Sequence, residues 1–460
     1  MFCMDQTQCH IGEENIVREP VTPYVDQGVL PLGSLEIQPI KQGIDLASTG
    51  SKEISVIFRH LSKRIPSTTF GTFGLYRYPA KFIPQVVSYI FDCYGQQGET
   101  VIDPFAGSGT TGLVARLYGI SYELWDLNPM LKVLHDAAIM APVPVRIDKL
   151  VEEVRHSPER FLPPWSNLEY WFPKPVIEVL SRLFGYYHAQ SSSSIKSLIA
   201  VPLLKIMRKF SYNDHQRQKL SRSPVAIRRV ESLMEDDWQT RLFAMLEEEI
   251  RLVQRKRSEY ESLLQEQRLP VTARVLAGID GIIHSAQSEN EWDMLITSPP
   301  YLQAQEYIRC SKLDLFWLGF SEEAIRQLAR LELPYRDVPP IGICSETYHK
   351  FRSGIQEEHL HKMFERYFHG VLTILTNLSH HIRKRMFLFV GPASVRGVPV
   401  PIDRIFVEHF SALGWTHEAT LIDSIVARVM FRSEKNPATG LADRRMATEH
   451  LVILKRKWNT

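Results

Sequence analysis

The sequence predicts an α/β fold in which a mostly parallel sheet is interrupted by a helical insertion. Residues 100–102 are short, apolar and β-branched, as a buried parallel strand requires, and they continue through a glycine-rich turn into a helix. Residues 122–125 form a second apolar strand that ends on Asp126, and residues 294–297 form a third. Between the second and third strands, residues 142–270 have helical periodicity and no alternating pattern.

The turn after the first predicted strand is suited to a bound ligand. Gly107 and Gly109 allow backbone conformations that a Cβ would forbid and let a ligand approach closely. The helix that begins at Thr110 would point its N-terminal N–H groups at an anion. Asp126 lies about 20 residues beyond the first glycine, where an acid grips ribose hydroxyls in dinucleotide-binding folds. The glycine spacing alone is weak evidence, because many such turns carry glycine for geometry only.

Further elements are predicted from periodicity and from helix start and stop signals. After an extension without periodicity, residues 53–63 are predicted to form a short helix. The other predicted helices are 85–94, 110–118, 130–140, 176–183, 195–207, 236–264, 357–381 and 402–413, and the other strands are 385–390, 416–431 and 450–455, the last two as an antiparallel pair.

Composition excludes several classes of protein. The chain has 460 residues, 44% of them hydrophobic, which suffices for two or three globular domains. With a net charge of +2, nucleic-acid contacts must come from local patches. The five scattered cysteines have no zinc-binding spacing, so we expect reduced thiols and no metal. No apolar run reaches the ~18 residues of a membrane span, and the start does not look like a secretory signal, so we expect a cytoplasmic protein without membrane contact.

One such basic patch lies inside the insertion. Residues 205–229 contain eight lysines and arginines and a single acid, Asp214. Basic side chains among serine, asparagine and tyrosine are what phosphate contacts need. The alternative is a solvated basic face that is balanced by the acidic residues 247–249. The candidates for DNA contact are Lys205, Arg208, Lys209, Arg217, Lys219 and Arg222.

Three motifs together resemble the DNA amino-methyltransferases, which transfer a methyl group from S-adenosylmethionine to the exocyclic amino group of cytosine or adenine. They are residues 103–109 (Asp-Pro-Phe-Ala-Gly-Ser-Gly), 297–301 (Thr-Ser-Pro-Pro-Tyr) and 74–84, which is similar to the family's cofactor-side motif. The resemblance covers residues 61–141 and 271–460 as a catalytic domain. It implies a Rossmann-like class I methyltransferase sheet of seven strands, mostly parallel, with an antiparallel last hairpin.

The remaining segments lie outside the resemblance. Residues 1–60 are an N-terminal extension, and the helical insertion 142–270 would be the target-recognition region, as in many such methyltransferases. Residues 330–353 are rich in proline and polar residues, and we expect a mobile or DNA-facing loop there.

The resemblance also assigns the residues of a donor site. Residues 105–109 would wrap the methionine part of S-adenosylmethionine, Asp126 would bind the ribose, and Asp280 would meet the adenine. Lys81 and Phe82 would line the amino-acid end. The full set of cofactor candidates is Lys81, Phe82, Asp103, Pro104, Phe105, Ala106, Gly107, Ser108, Gly109, Thr110, Thr111, Asp126, Asn128 and Asp280.

The catalytic candidates are Ser298, Pro299, Pro300 and Tyr301. The amino nitrogen of a base is a poor nucleophile, because its lone pair is delocalised into the ring. The Ser298 hydroxyl and the Pro299 carbonyl can each accept a hydrogen bond from the amino group and stabilise the charge that develops on it. Two prolines fix the turn and remove competing N–H donors. Tyr301 offers a face on which an extruded base can stack.

Several functions remain open from the sequence. Serine in place of aspartate or asparagine before Pro-Pro-Tyr favours cytosine N4, while adenine N6 and an RNA substrate stay possible. The expected partner is double-stranded DNA, with a cognate restriction endonuclease or another defence component as a possible second. A nucleotide-dependent oxidoreductase would leave Ser-Pro-Pro-Tyr unexplained, and a DNA-binding protein with a relict fold would not need Ser298 and Tyr301.

Overall fold

The glycine-rich turn lies in the middle of an eight-stranded sheet. The computed structural model describes residues 52–457 except 80, 216, 218, 265–269, 303–305, 392 and 425–447. The strands are β1 (Glu53–Val56), β2 (Thr100–Asp103), β3 (Ser121–Asp126), β4 (Ala273–Ala277), β5 (Trp292–Thr297), β6 (Ile382–Val390), β7 (Ala393–Val395), β8 (Val398–Val400), β9 (Trp415–Ser424) and β10 (Thr448–Arg456). Strands β7 and β8 form a separate two-stranded ribbon.

Helices surround this sheet and account for most of the remaining described chain. They are α1 (Phe58–Leu61), α2 (Pro84–Tyr94), α3 (Thr110–Leu117), α4 (Met130–Ile139), α5 (Ile147–Arg155), α6 (Leu168–Trp171), α7 (Lys174–Ala189), α8 (Ser193–Lys209), α9 (Pro224–Leu233), α10 (Trp238–Glu261), α11 (Gly281–Gln287), α12 (Tyr307–Cys310), α13 (Lys312–Trp317), α14 (Glu322–Arg330), α15 (Glu346–Ser353), α16 (Glu358–Ser379) and α17 (Ile402–Ala412). None of these helices is long and apolar enough to cross a membrane.

The sheet has the predicted topology. The strand order is β1-β9-β10-β6-β5-β2-β3-β4. Every neighbouring pair is parallel except those of β10, which runs antiparallel to both β9 and β6. The α/β class, the mostly parallel sheet and the antiparallel last hairpin are therefore confirmed. The carboxyl ends of β2, β3, β4 and β5 meet at one edge of the sheet, as parallel pairing requires.

The predicted strand count of seven was wrong, because β1 adds an eighth strand. It pairs in parallel with β9, with Glu53 opposite Thr420. Residues 53–63 had been predicted as a helix, and only Phe58–Leu61 is helical. Four residues of alternating exposure are too few to reveal a strand by periodicity. The partner strand, more than 350 residues away, decides the conformation.

Between β3 and β4, the described residues that follow α4 are helical apart from connecting loops and one isolated bridge, Asn213 to Arg222. The long predicted helices correspond to α7, α8 and α10. These helices contact the core of the sheet domain directly. On α10, the Tyr260 hydroxyl donates to the Leu113 carbonyl at 2.7 Å, and the buried Arg257 Nε donates to the Ala137 carbonyl at 2.9 Å.

A buried ion pair also connects α8 to α13. The Arg208 guanidinium donates through Nε to Asp314 Oδ1 at 2.8 Å, and its Nη2 contacts the other carboxylate oxygen. The Tyr76 hydroxyl donates to the same carboxylate at 2.7 Å. The Asp314 side chain is 0% exposed and that of Arg208 is 25% exposed. Asp314 therefore depends on these two partners in place of water.

We expect Arg208→Met to lower the free energy of unfolding by about 3–5 kcal/mol, because it leaves the buried carboxyl group of Asp314 without its cationic partner. Arg217→Met is the matched control. Its side chain is 64% exposed, and its loss should change stability by no more than about 0.5 kcal/mol. Urea denaturation of both variants measures the difference. Equal stability of the two variants would show that Arg208 is not a structural cation.

Candidate functional site

The glycine turn between β2 and α3 has the backbone that its sequence requires. Gly107 and Gly109 have φ angles of +55° and +83°, both in the left-handed region. A Cβ at Gly107 would lie 3.3 Å from the Tyr78 ring. The Ala106 N–H donates to the Trp125 carbonyl at 2.9 Å, which fixes the turn against the end of β3. The turn therefore lies at the edge of the sheet where the parallel strands end.

Asp103, the last residue of β2, is buried and satisfied within the protein. Its Oδ1 accepts from the Thr297 hydroxyl at 2.6 Å and from the Phe105 N–H at 3.1 Å. Its Oδ2 accepts from the Thr111 hydroxyl at 2.5 Å. Burial raises the pKa of Asp103 to about 6, and the three hydrogen bonds offset part of that rise. The side chain joins β2, α3 and β5 and does not face a cleft.

Asp126, the last residue of β3, presents its carboxylate at the strand ends. One oxygen accepts from the Gly107 N–H and the other from the Asn128 N–H, both at 2.7 Å. Burial raises the pKa of Asp126 to about 7. The adjacent Asn128 is buried, and its amide donates to the Ser311 hydroxyl at 2.9 Å and to the Tyr78 hydroxyl at 3.3 Å. Asn128 therefore orients the residues around Asp126.

A cleft opens beside Asp126, between the ends of β2, β3, β4 and β5. Eight of the residues proposed from sequence line it, from both the donor and the catalytic motifs: Pro104, Phe105, Gly107, Asp126, Asn128, Asp280, Ser298 and Pro300. The other cofactor and catalytic candidates do not line it: Lys81, Phe82, Asp103, Ala106, Ser108, Gly109, Thr110, Thr111, Pro299 and Tyr301. The structure thus brings the core of both predicted motifs to one cavity.

Asp280 faces the cleft from the start of α11. Its Oδ1 accepts from the Ile282 N–H at 3.0 Å and from Arg336 Nη1 at 2.7 Å. Its Oδ2 is buried and has no hydrogen-bond partner among the described residues. A buried acceptor without a donor is costly, so this oxygen is ready for a ligand N–H or O–H.

The turn after β5 carries the Ser-Pro-Pro-Tyr segment. Ser298 and Pro300 line the cleft, whereas Pro299 between them is buried. The Tyr301 hydroxyl donates to Glu449 Oε1 on β10 at 2.6 Å. Glu449 is itself buried. The tyrosine ring is therefore tied at its far end to the antiparallel part of the sheet.

The two candidates ahead of the glycine turn lie away from the cleft. The Phe82 ring stacks on Phe389 of β6, with centroids 5.4 Å apart. Burial, and to a lesser extent the neighbouring Lys256, lowers the pKa of Lys81 to about 8. The nearby Tyr78, by contrast, lines the cleft.

Sequence reasoning missed Tyr78, Tyr307, Glu332 and Arg336 as residues of the cleft. Tyr78 lies within the segment 74–84 and could have been found there. Glu332 and Arg336 fall in residues 330–353, where a mobile or DNA-facing loop was expected. In the structure Leu333, Ile343 and Tyr348 of that segment are buried and Glu346–Ser353 is helical, so the expectation of a loop was wrong for much of it.

The basic candidates of the insertion have varied surroundings. Lys205 pairs with Glu249 at 2.8 Å, Lys219 with Glu306 at 3.5 Å, and Arg217 with Asp214 at 3.6 Å. The Arg222 guanidinium lies over the rings of Tyr170 and Tyr212 at 4.6 and 4.8 Å. Arg208 belongs to the buried pair with Asp314, and Lys209 is exposed at the end of α8.

Comparison with known proteins agrees with the geometry of the cleft. A family model described as DNA methylase, of the N6/N4 type, matches residues 40–130. The chain is 25% identical over 369 residues to the type II methyltransferase M.BsoBI of Geobacillus stearothermophilus, covering 72% of this chain and 68% of that protein. It is 21% identical over 188 residues to the type II methyltransferase M.MvaI of Kocuria varians, covering 37% of this chain and 41% of the relative.

A third relative, the type II methyltransferase M.MjaII of Methanocaldococcus jannaschii, is 41% identical over 56 residues, which is 12% of this chain and 11% of the relative. The family match includes the glycine turn and Asp126, and the cleft adds the Ser-Pro-Pro-Tyr turn beside them. The chain is therefore similar to DNA methylases of the N6/N4 type over the segment that carries the glycine turn and Asp126, and to type II methyltransferases over most of its length.

Proposed function

We propose that the protein transfers a methyl group from S-adenosylmethionine to the exocyclic amino group of a base turned out of double-stranded DNA, at a specific site. One observation carries the proposal. Asp126 and Asp280, which suit a nucleoside donor, line the same cleft as Ser298, which suits the amino group that receives the methyl, and Pro300 of the same turn. An enzyme with this activity would act in a restriction-modification system or in another system of phage defence.

The donor side of the cleft fits a nucleoside. Asp126 can accept hydrogen bonds from ribose hydroxyls, and the free Oδ2 of Asp280 can accept one from the amino group of adenine. Phe105 and Ile282 add apolar surface to the cleft. When bound, S-adenosylmethionine supplies a methyl group on a positively charged sulfur. The protein's part is to hold that group and to align the acceptor with it.

On the acceptor side, Ser298 and the Pro299 carbonyl would accept the two hydrogens of the amino group. These bonds draw the nitrogen lone pair out of conjugation and stabilise its growing positive charge. Tyr301 would support the extruded base by stacking. The bond from its hydroxyl to Glu449 would fix the tilt of the ring, because the phenol can no longer swing independently of β10.

Cytosine N4 is the methyl acceptor that we favour. The reason is that the motif here is Ser-Pro-Pro-Tyr, whereas other amino-methyltransferases have Asp-Pro-Pro-Tyr or Asn-Pro-Pro-Tyr. Adenine N6 is the second candidate for the same cleft, and an amino group in RNA is the third. Mass spectrometry of nucleosides from DNA and RNA offered separately to the protein distinguishes the three products.

DNA would lie along the insertion. Among the basic candidates, Lys209, Arg217 and Lys219 are at least half exposed or at the surface, which suits phosphate contact. Lys205 and Arg222 are less exposed, and Arg208 acts at least in part as the cation of Asp314. A cognate endonuclease remains a proposed partner.

The donor site predicts a ligand-specific change in stability. S-adenosylhomocysteine at 100 times its Kd should stabilise the protein by about 2.7 kcal/mol, which a thermal melt detects, whereas NAD should not. Asp126→Ala should abolish the shift, because it removes the acceptors for the ribose. Asp148→Ala, an exposed aspartate in the insertion, is the control and should keep it. A shift with NAD alone would favour the oxidoreductase.

Ser298→Ala should leave donor binding unchanged and reduce methyl transfer about 10²-fold or more, because one of two acceptors for the amino group is lost. Incorporation of tritiated methyl into DNA measures the rate, and calorimetry measures binding. Ser258→Ala, an exposed serine of α10, should retain full activity. Normal turnover by Ser298→Ala would remove the hydroxyl from the mechanism.

Tyr301→Ala should bind the donor normally and lose the base-stacking energy, ~1–3 kcal/mol, in the methyl-transfer step. Tyr301→Phe keeps the ring and should keep most of the activity, apart from the loss caused by a less firmly held ring. The kcat/KM values for methylation of DNA separate the two variants. A normal rate for Tyr301→Ala would show that the base does not stack there.

A further inference from the structure

Four charged side chains line the cleft, and they do not balance. They are Asp126, Asp280, Glu332 and Arg336. Arg336 lies 2.7 Å from Asp280 and compensates its charge. Asp126 and Glu332 remain, and among the described residues Arg336 is the one cationic side chain that lines the cleft. The uncompensated charge of the cleft is therefore negative.

Glu332 is placed firmly in this cleft. It lies just beyond α14 and is 5% exposed. Its Oε1 accepts from the N–H of Ile308 on α12 at 2.9 Å. Ile308 follows the Ser-Pro-Pro-Tyr turn in the chain, so Glu332 also holds α12 beside that turn. Neutral backbone donors hold Asp126 in the same way. Both carboxylates are thus oriented by dipoles without being neutralised by a charge.

The carboxylates of Asp126 and Glu332 would favour a ligand that carries a positive charge. Burial raises the pKa of Glu332 to about 7, as it does for Asp126, and the charge of Asp126 adds to the rise for Glu332. Two partly desolvated carboxylates near each other disfavour double ionisation. A ligand that brings a positive charge relieves this repulsion, whereas a neutral ligand of the same shape does not.

We propose that Glu332, together with Asp126, makes the cleft selective for the positively charged sulfonium donor over S-adenosylhomocysteine, its uncharged-sulfur product. This inference rests on the proposed function. In the transfer, the carbon–sulfur bond breaks as the carbon–nitrogen bond forms, sulfur keeps the electron pair, and the amino group releases one proton to water. The ligand then has one positive charge fewer, so its attraction to the two carboxylates falls. Glu332 would thereby favour donor binding and product release.

Glu332→Gln tests the role of the charge, since an amide oxygen can still accept from Ile308. Isothermal titration calorimetry of the full-length protein gives Kd values for S-adenosylmethionine, S-adenosylhomocysteine and sinefungin, which carries an amine where the donor carries its methyl group. We expect the Kd of the two cationic ligands to rise about tenfold and that of the homocysteine to change less than about twofold. Glu323→Gln removes an exposed carboxylate from α14 and should change none of the three.

Equal weakening of all three ligands by Glu332→Gln would overturn the inference, because Glu332 would then act on parts that the ligands share. The wild-type protein provides a second measurement that does not depend on folding of the variant. It should bind the two cationic ligands at least about tenfold more tightly than the homocysteine. Equal affinities would also overturn the inference, and wild-type protein that binds none of the three would overturn the proposed function itself.

Discussion

The organisation of the site depends on the buried carboxylate of Asp103. Its bonds to Thr111 and Thr297 connect the helix after the glycine turn with the strand that leads into Ser298. The glycine turn and the Ser-Pro-Pro-Tyr turn are separated by almost 190 residues of sequence, yet this side chain, together with the pairing of β2 and β5, holds one against the other. Methyl transfer needs its two reactants aligned within a fraction of an ångström. For the proposed methyl transfer, Asp103 would contribute to that alignment without facing the cleft.

Burying the carboxylate of Asp103 is energetically unfavourable, and its pKa reflects this. Burial raises the pKa of Asp103 to about 6 even though three donors surround the carboxylate. A neutral hydrogen-bonding side chain would be cheaper to bury, but it would offer fewer acceptor positions for three donors. The site therefore keeps a desolvated carboxylate for the precision that it gives, as functional sites often do.

The sequence predicted those parts of the molecule whose signals are local. The strand-turn-helix around Gly107, the position of Asp126 at a strand end and the antiparallel last hairpin all follow from short patterns. The sequence did not predict which carboxylates face the cleft. Asp103 and Asp126 end neighbouring strands in the same way, and only the packing of Thr111 and Thr297 turns the first inward. Glu332 is not part of a recognisable sequence motif. Its position is set by a tertiary contact with α12.

In the insertion, too, local sequence does not predict which side chains are used in tertiary contacts. Its basic segment is obvious in the sequence, but nothing local shows that Arg208 would turn towards Asp314 while its neighbour Lys209 stays exposed. On a helix, adjacent residues point about 100° apart, so one basic pair can serve both structure and surface. Because α8 is tied to α13 through this buried pair, the basic surface has a fixed orientation relative to the cleft.

The order of strands has a consequence for how the protein folds. Among the described strands of the sheet, β1 pairs only with β9, and β9 is joined to the others only through β10, which must insert between β9 and β6. The first strand in the described chain is consequently the last that can be incorporated. Strand pairs so distant in sequence form slowly, because the entropy of closing a long loop is lost before any stabilising contact forms. During synthesis this edge of the molecule must wait for β9 and β10 to leave the ribosome.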